Sequence, residues 1–366
     1  MPLDPADRPH MARAIELAER GLYSTRPNPR VGAVLVRNGK VIGEGWHRVA
    51  GGAHAEVEAI RAAGDLTRGA TCYVSLEPCN HQGKTGACAA ALIEAGVARV
   101  VYGQEDPNPQ VSGRGLESLR RAAVAVDGPL LEPQARRLNP GFNKRMSTGL
   151  PFVRLKLAMS LDGRTADSSG NSFWITSSMA RAHGQRLRAR SCAVITGWKT
   201  VVQDKARLTL RPAEFGLQDE NLDSRQPLRV LLDSRNSAPR DEPFFQADGP
   251  ILVANIERDG QEGQTEHRHF AERDGRVCLA ELLAELGARE CNEVLVEAGA
   301  ELSAAFLRMG LVDELQIYVA PKLMGSDARP LFDLPLKIMD AALPLRFVEM
   351  HPIGRDLRIT AVPETE

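Results

Sequence analysis

Apolar residues near the start recur at helical spacing. Met11, Ala14, Ile15 and Ala18 fall on one stripe and Gly21 supplies a stop, which predicts a helix over about residues 10–20. The stretch "VGAVLVRNGKVIGEGWH" reads as a β-hairpin, because Asn38-Gly39 between two β-branched runs suits a type I′ turn. "HAEVEAIRAAG", closed by Gly64, predicts a second helix. In "ATCYVSLEP", Cys72, Val74 and Leu76 alternate onto one face of a strand. A further helix, "CAAALIEAG", ends at Gly96 and feeds the apolar run "VARVVYG". Helices leading repeatedly into strands predict the α/β class, with a sheet covered on both faces.

Residues of about 143–151 combine Asn, Ser, Thr, Gly and Pro, which reads as a linker. A second unit opens with the strand "FVRLKLAMSLDG". It continues through a helix at "SSMARAHGQRLRARS", capped by Ser177 or a neighbour, into the strand "CAVITG". "LRVLLD", "PILVAN", "NEVLVEAG" and "DELQIYVAPKL" are further strands. The polar stretches "PAEFGLQDENLDSRQP" and "NIERDGQEGQTEHRHF" read as surface loops.

Composition narrows the setting. A chain of 366 residues suits two domains, and 46 basic residues against 47 acidic ones give a formal charge of −1. No global field draws such a chain to nucleic acid or to an anionic membrane. No window approaches the ~18 consecutive apolar residues of a membrane span, so a cytoplasmic location is expected. Six cysteines in a chain of this length argue for reduced thiols or metal ligands and against a disulfide framework.

Two stretches concentrate chemistry. His54 and Glu56 stand in "GGAHAEVEAI", and Cys79 and Cys88 bound "CNHQGKTGAC". His54 and Cys88 each begin a helix, and Cys79 lies on the loop leaving a strand, so all three reach one crevice at the carboxyl ends of the strands. A helix N-terminus favours thiolate at Cys88, the form that binds metal. One imidazole and two thiolates suit Zn²⁺ with a fourth position left open. Glu56, near the helix end, is placed to reach a water there. H-x-E followed by Pro-Cys and a further Cys is the signature of zinc nucleobase deaminases. His81 offers a different outcome, a closed His₂Cys₂ staple in which Glu56 has no task. Cys72, Cys192, Cys278 and Cys291 have no ligand neighbour at useful spacing and read as packing residues. His47 and His10 read as exposed or satisfied side chains. Asn28, between two prolines, is by itself a turn residue.

"HAEVEAIRAAG", "YVSLEPCNHQGKTGAC", "EDPNPQVSGRG" and "LNPGFNKRM" resemble the deaminase half of the bifunctional riboflavin-biosynthesis deaminase/reductase family, and the resemblance runs nearly end to end. It implies a cytidine-deaminase-like three-layer α/β/α domain over residues 1–147, Zn²⁺ on His54, Cys79 and Cys88, Glu56 as proton shuttle, and Asn28 on the pyrimidine. It places His81, Lys84, Asn108 and Arg114 near the substrate, although Gly113 and Gly115 also suit a plain surface turn. Transfer-RNA adenosine deaminases of the same superfamily have only two residues between their cysteines and usually a basic face, and neither feature is present here.

No G-x-G-x-x-G follows a strand, so a Rossmann site has no local support. "NEVLVEAGAELSAAFLRMG" does read as strand, glycine turn and amphipathic helix, a start that can hold phosphate but that is common in α/β proteins. "KLAMSLDGRTA", "WITS", "GWKTVVQDKARLTLR" and "VEAGAELSAAFL" are similar to the family's reductase half, which implies a dihydrofolate-reductase-like α/β domain over residues 148–366 that uses NADPH. Carried over, Ala158, Trp174, Thr200, Asp204, Ser234, Gly299, Ala300, Glu301 and Leu302 would face the cofactor. Ser172, Arg188, Leu208, Arg211 and Glu297 would face the substrate, with Lys156 near the hydride path; a solvated surface charge is the plain alternative for either arginine. Where the family writes D-D-P-x-L-T, this chain has Asp204-Lys205-Ala206-Arg207-Leu208-Thr209, which lacks the stiffening proline.

The resemblance implies hydrolytic deamination of 2,5-diamino-6-ribosylamino-4(3H)-pyrimidinone 5′-phosphate, followed by reduction of its ribosyl group to ribityl. The expected partner is thus a small phosphorylated pyrimidine, with no nucleic acid and no membrane, and the expected assembly is a homo-oligomer, dimer or tetramer. The competing readings are an RNA or nucleoside deaminase with an unrelated C-terminal domain and a non-catalytic zinc-stapled binding module.

Overall fold

In the computed structural model, which describes residues 3–80, 86–109, 111–170, 172, 174–211, 214 and 226–364, the chain divides into two units between Gly149 and Leu150. In the first, helices α1 (Asp7–Glu19), α2 (Ala55–Ala63), α3 (Cys88–Glu94), α4 (Arg114–Arg121), α5 (Glu132–Leu138) and α6 (Pro140–Thr148) accompany strands β1 (Gly32–Arg37), β2 (Lys40–Trp46), β3 (Thr71–Val74), β4 (Arg99–Tyr102) and β5 (Ala125–Asp127). The strand order is β2-β1-β3-β4-β5. β1 runs antiparallel to β2 and β3, while β3, β4 and β5 are parallel. Asn38 and Gly39 both take positive φ, 50° and 71°, as the turn chemistry of the hairpin demands.

Alternation along the strands builds two cores. Ala33, Leu35, Cys72, Val74, Val100 and Tyr102 point to the side packed by Ala55, Ala59, Leu92, Leu116 and Leu119 of α2, α3 and α4. Val34, Val36, Tyr73 and Val101 point to the other, against Met11, Ala14 and Leu17 of α1. The result is three layers, helix on sheet on helix. The hold of α2 on β2 is unusually close. A methyl group at Gly45 would collide with the Ala55 carbonyl oxygen and come 2.5 Å from the Ala59 nitrogen, so glycine is required there for the helix to lie flush.

The second unit comprises β6 (Phe152–Ser160), β7 (Arg164–Ala166), α7 (Ser178–Arg190), β8 (Ala193–Gly197), α8 (Trp198–Asp204), β9 (Leu228–Leu232), α9 (Pro243–Gln246), β10 (Ile251–Asn255), β11 (Gly260–Glu262) and β12 (Thr265–His269). It continues with β13 (Glu272–Arg273), β14 (Arg276–Val277), α10 (Leu279–Ala288), β15 (Glu293–Val296), α11 (Ala300–Arg308), β16 (Glu314–Ala320), β17 (Arg329–Pro330), β18 (Leu345–Ile353) and β19 (Asp356–Pro363). Ten strands form one sheet in the order β11-β12-β10-β9-β8-β15-β6-β16-β19-β18. β9, β8, β15, β6 and β16 are mutually parallel neighbours. Ser177 caps α7 by accepting a hydrogen bond from the Ala180 N–H, as its sequence predicts.

Two expectations are corrected. Residues 143–148 are not a linker but the body of α6. Pro140 opens that helix, Ser147 and Thr148 donate back to carbonyls of Asn143 and Lys144, and Gly149 ends it at φ 76°. The stretch around 260–269 is no surface loop, since β12 pairs in parallel with β10 and buries Thr265 and His267. Its inward residues are polar but satisfied; His267 Nδ1 lies 3.1 Å from Asn236 Oδ1. Most of 212–227, the other expected loop, lies outside the described residues. Replacing Gly45 with alanine is expected to lift α2 from β2 and to lower the stability of the first unit by about 1–3 kcal/mol. Denaturant midpoints at unchanged m-value measure this.

Candidate active sites

The close seat of α2 fixes His54 at its N-cap position, in extended backbone. Cys88 is the first residue of α3 and Cys79 leaves the end of β3, and backbone bonds tie the two together. The Cys88 N–H donates to Cys79 Sγ at 3.4 Å and the Ala89 N–H to the Cys79 carbonyl at 3.1 Å. His54 Nδ1 lies 3.0 Å from Cys88 Sγ and 3.6 Å from Cys79 Sγ. The three ligand atoms lie within 4.8 Å of one another, the one such cluster among the described residues. Tetrahedral Zn²⁺ with ordinary bond lengths would need edges of about 3.5–3.8 Å, so the donor set and its spacing fit that ion.

Electrostatics fit as well. Hydrogen bonds from Cys88 and then from His54 hold the Cys79 thiol down at about 4 against the opposing effect of burial. Cys79 in turn raises His54. Glu56, 3% exposed, is pushed up to about 7, first by burial and then by the negative Cys79 beside it. A carboxyl poised there can both take and return a proton near neutral pH. His81 and Lys84 lie outside the described residues.

Two residues that sequence reasoning missed organise the surroundings. Glu77 is buried and accepts from the N–H groups of Asp106 (3.2 Å), Gly113 (3.0 Å), Gly115 (3.1 Å) and Leu116 (3.4 Å). This one carboxylate staples the loop carrying half-buried Asn108 and exposed Arg114 to the segment that carries Cys79. Gly115 is needed for it, because a methyl group there would collide with the Pro78 carbonyl. His47 is the second, buried rather than exposed, with Nε2 3.0 Å from Asn28 Nδ2. Glu77 had a local signal, its place directly before Pro78-Cys79; His47 had none.

In the second unit a cavity of about 1480 Å³ opens at the carboxyl ends of the adjacent strands β9, β8, β15 and β6. It is lined by Lys156, Ala158, Ser172, Arg188, Thr200, Asp204, Leu208, Ser234 and Glu297, and by Gly299 to Leu302 at the start of α11. Trp174 and Arg211 are not among its lining residues. Trp174 is 57% exposed with the Arg181 guanidinium 4.1 Å from its ring centroid, and Arg211 is an exposed side chain paired with Glu214 at 3.2 Å. Arg188 is fully engaged, with Nε and Nη2 on Glu297 at 2.5 and 3.1 Å and Nη1 on the Thr209 carbonyl at 3.0 Å. Burial would raise Glu297, but the Arg188 guanidinium and the Lys156 ammonium outweigh it and hold the carboxyl at about 2. Lys205, in place of the family's second aspartate, takes φ 49° and donates to Glu242 at 2.8 Å. Leu208 stays buried on the cavity wall. Arg329, bonded to Gln203 Oε1 at 3.1 Å, is a cavity residue that sequence reasoning missed. Cys278 also lines the cavity, while Cys72 and Cys291 are buried packing residues.

Residues 5–104 match the cytidine and deoxycytidylate deaminase zinc-binding region, and residues 151–359 match the RibD C-terminal domain. The Riboflavin biosynthesis protein RibD of Escherichia coli is 47% identical over 96% of this chain and 98% of its own length. That of Haemophilus influenzae is 46% identical over 97% and 96%. The chain belongs to the RibD family. Among solved structures, Acinetobacter baumannii RibD superposes with TM-score 0.91 at 42% identity, covering 98% of this chain and 99% of that one. A Thermotoga maritima diaminohydroxyphosphoribosylaminopyrimidine deaminase/5-amino-6-(5-phosphoribosylamino)uracil reductase does so at 0.86 and 34% identity, with 98% and 99% covered. Like its family, the chain is a bifunctional enzyme of riboflavin biosynthesis, a zinc-dependent deaminase joined to a reductase. An RNA deaminase with an unrelated C-terminal domain is not favoured, because that domain is the family's own. No helix among the described residues is long and apolar enough to cross a membrane.

Replacing Glu77 with alanine leaves four backbone N–H groups without their acceptor, and is expected to cost on the order of 3 kcal/mol. Chemical denaturation, with bound zinc quantified in parallel, checks this; an unchanged midpoint contradicts the staple.

Proposed function

We propose that the first unit deaminates 2,5-diamino-6-ribosylamino-4(3H)-pyrimidinone 5′-phosphate and that the second then reduces the ribosyl group of the product. The observation that carries the first step is the His54, Cys79, Cys88 triangle with buried Glu56 beside it. His54 Nδ1 and the two sulfurs would hold zinc, which when bound supplies Lewis acidity that makes water nucleophilic near neutral pH. Glu56 takes a proton from that water and returns protons to a ring nitrogen and to the departing amine, and ammonia leaves. Asn28 accepts a hydrogen bond from the pyrimidine. Asn108 and Arg114, on the loop stapled by Glu77, would contact the ribosyl phosphate or the ring, contacts that the family resemblance also assigns to His81 and Lys84.

For the second step, NADPH bound in this cavity would supply the hydride by which C1′ of the ribose is reduced as its bond to the ring oxygen breaks and that oxygen takes up a proton, leaving a ribityl chain. The N–H groups at the start of α11, with Thr200 and Ser234, are placed to hold the dinucleotide. Glu297 holds Arg188 in place, and Lys156, with its ammonium 3.7 Å from Glu297, presents donors to the sugar. The protein's contribution is to orient two ligands in one cavity.

We assign the assembly to a homodimer built on edge strand β18. Leu345, Phe347, Val348 and Met350 are 38–59% exposed along it, an edge that would aggregate unless covered. A two-fold antiparallel alignment of β18 on itself, centred on its bulge between Phe347 and Glu349, would bring Arg346 of each copy toward Glu349 of the other, so the edge is self-complementary. A chain of 366 residues with only six cysteines, two of them in the metal triangle, suits a reducing compartment, and we place the enzyme in the cytoplasm.

Incubating the purified zinc-loaded protein with the diaminopyrimidinone phosphate and NADPH should release ammonia and consume NADPH in sequence. Glu56→Gln is expected to keep its zinc and to lose at least ~10²-fold in ammonia release, while NADPH consumption on the deaminated pyrimidine is unchanged. Equal ammonia release by that variant rules out Glu56 as shuttle. Light scattering should find Phe347→Asp at half the mass of the wild type; a monomeric wild type overturns the β18 assignment.

A further inference from the structure

Asn28 sits in "TRPNPRV", half-buried, and its amide could in principle face a ligand with either end. The described contacts remove that ambiguity. His47 Nδ1 lies 3.0 Å from the Ala53 carbonyl oxygen. A carbonyl only accepts, so the imidazole proton is on Nδ1. His47 is 3% exposed and its bonds among the described residues go to an amide and a carbonyl, not to a carboxylate, so the ring is neutral and offers a lone pair at Nε2, where the group 3.0 Å away is the Asn28 amide nitrogen. The NH₂ end of Asn28 is thus committed to His47, and Oδ1 has no partner among the described residues. The His47 ring also stands edge-on to the His54 ring, with centroids 5.3 Å apart and planes at 79°, which puts this device one ring away from the ligand triangle.

We propose that His47 is a positioning residue for deamination. It locks the Asn28 amide with its oxygen outward, so that the pocket accepts only a ring edge presenting an N–H donor and rejects one presenting a lone pair. The chain of orientation runs Ala53 carbonyl to Nδ1–H, Nε2 to the Asn28 NH₂, and Asn28 Oδ1 to substrate. A pyrimidinone with its ring N–H and exocyclic amines meets that requirement. A rotated amide would place NH₂ against the same edge and lose the bond, and a site built to pair one donor discriminates strongly against its absence. The inference rests on the deaminase reading of this same site.

Two variants separate orientation from structure. In His47→Asn the shorter amide can still donate to the Ala53 carbonyl but falls short of Asn28. In His47→Gln the side-chain oxygen can reach the Nε2 position and accept from the Asn28 NH₂. With zinc content at the wild-type level, His47→Asn should raise the KM for the diaminopyrimidinone phosphate ~10-fold with kcat within ~3-fold, and His47→Gln should restore KM to within ~3-fold of wild type. Placed in an Asn28→Ala background, His47→Asn should add less than ~2-fold, because its effect passes through that amide. Nitrogen-15 NMR of the wild type should show His47 neutral with its proton on Nδ1, which needs no turnover. An active wild type in which the two variants behave alike, in which either loses its zinc, or in which the proton is on Nε2, overturns this inference alone. A wild type that releases no ammonia overturns the deaminase reading and this inference with it.

Discussion

Backbone lies on backbone where α2 meets β2, and the first site hangs on that contact. Helix and strand can be this close only because Gly43 and Gly45 present no side chain; a methyl group at either would strike a carbonyl of α2. The approach aims the N-terminus of α2 toward the segment that leaves β3, one strand beyond β1, where Cys79 emerges. α3 packs on the same face of the sheet and brings Cys88 to the same point. Three donors from separate segments thereby meet in a triangle small enough for one ion, with no long side chain needed to span a gap. Placement of this kind sets three tetrahedral corners for zinc in advance and leaves the fourth open.

Burial then produces opposite results at the two sites, and the difference lies in the company each carboxylate keeps. Glu56 and Glu297 both have little access to water. At Glu56 burial acts first and the negative Cys79 adds its repulsion, outweighing the opposite pull of His54, so the carboxyl rises to about 7, where it trades protons readily. Around Glu297 the Arg188 guanidinium and Lys156 overcome burial and keep it ionised at about 2, where it acts as a fixed anchor. The first is suited to moving protons and the second to holding a cavity wall in shape.

How much of this could be read from the residues depends on whether the signal is local. His54, Glu56, Cys79 and Cys88 were legible because each stands at a helix start or strand end with its spacing intact, and the hairpin was legible from Asn38-Gly39. α6 was hidden, since Asn143, Ser147 and Thr148 look like turn residues until Ser147 and Thr148 are seen bonding within the helix and Asn143 reaching back to the Arg136 carbonyl of α5. β12 was hidden because it buries Thr265 and His267 instead of an apolar row. β18 and β19 were not read as a hairpin although Gly354, at φ 62°, opens the two-residue turn between them. Carrying residues over by likeness named much of the second cavity's wall, while Trp174 and Arg211 are not among its lining residues. His47 and Glu77 act through partners 19 and up to 39 positions away, a distance at which a single sequence holds no pairing signal.

Both units answer to one rule of α/β architecture, that ligands gather where parallel strands end and helices begin, yet they use the crevice differently. Deamination needs one small dry point at which a water, a carboxyl and a ring carbon coincide, and the first unit gathers two helix starts and the segment leaving one strand to set three metal donors and one buried acid there. Hydride transfer needs two large ligands laid against each other. The second unit spreads its polar groups along four adjacent strands around a cavity of about 1480 Å³ and places no group of potential metal donors there among the described residues. The chemistry of each half therefore follows from how tightly the strand ends are gathered, since an ion demands convergence within a few ångströms while a dinucleotide demands a wall long enough to lie along.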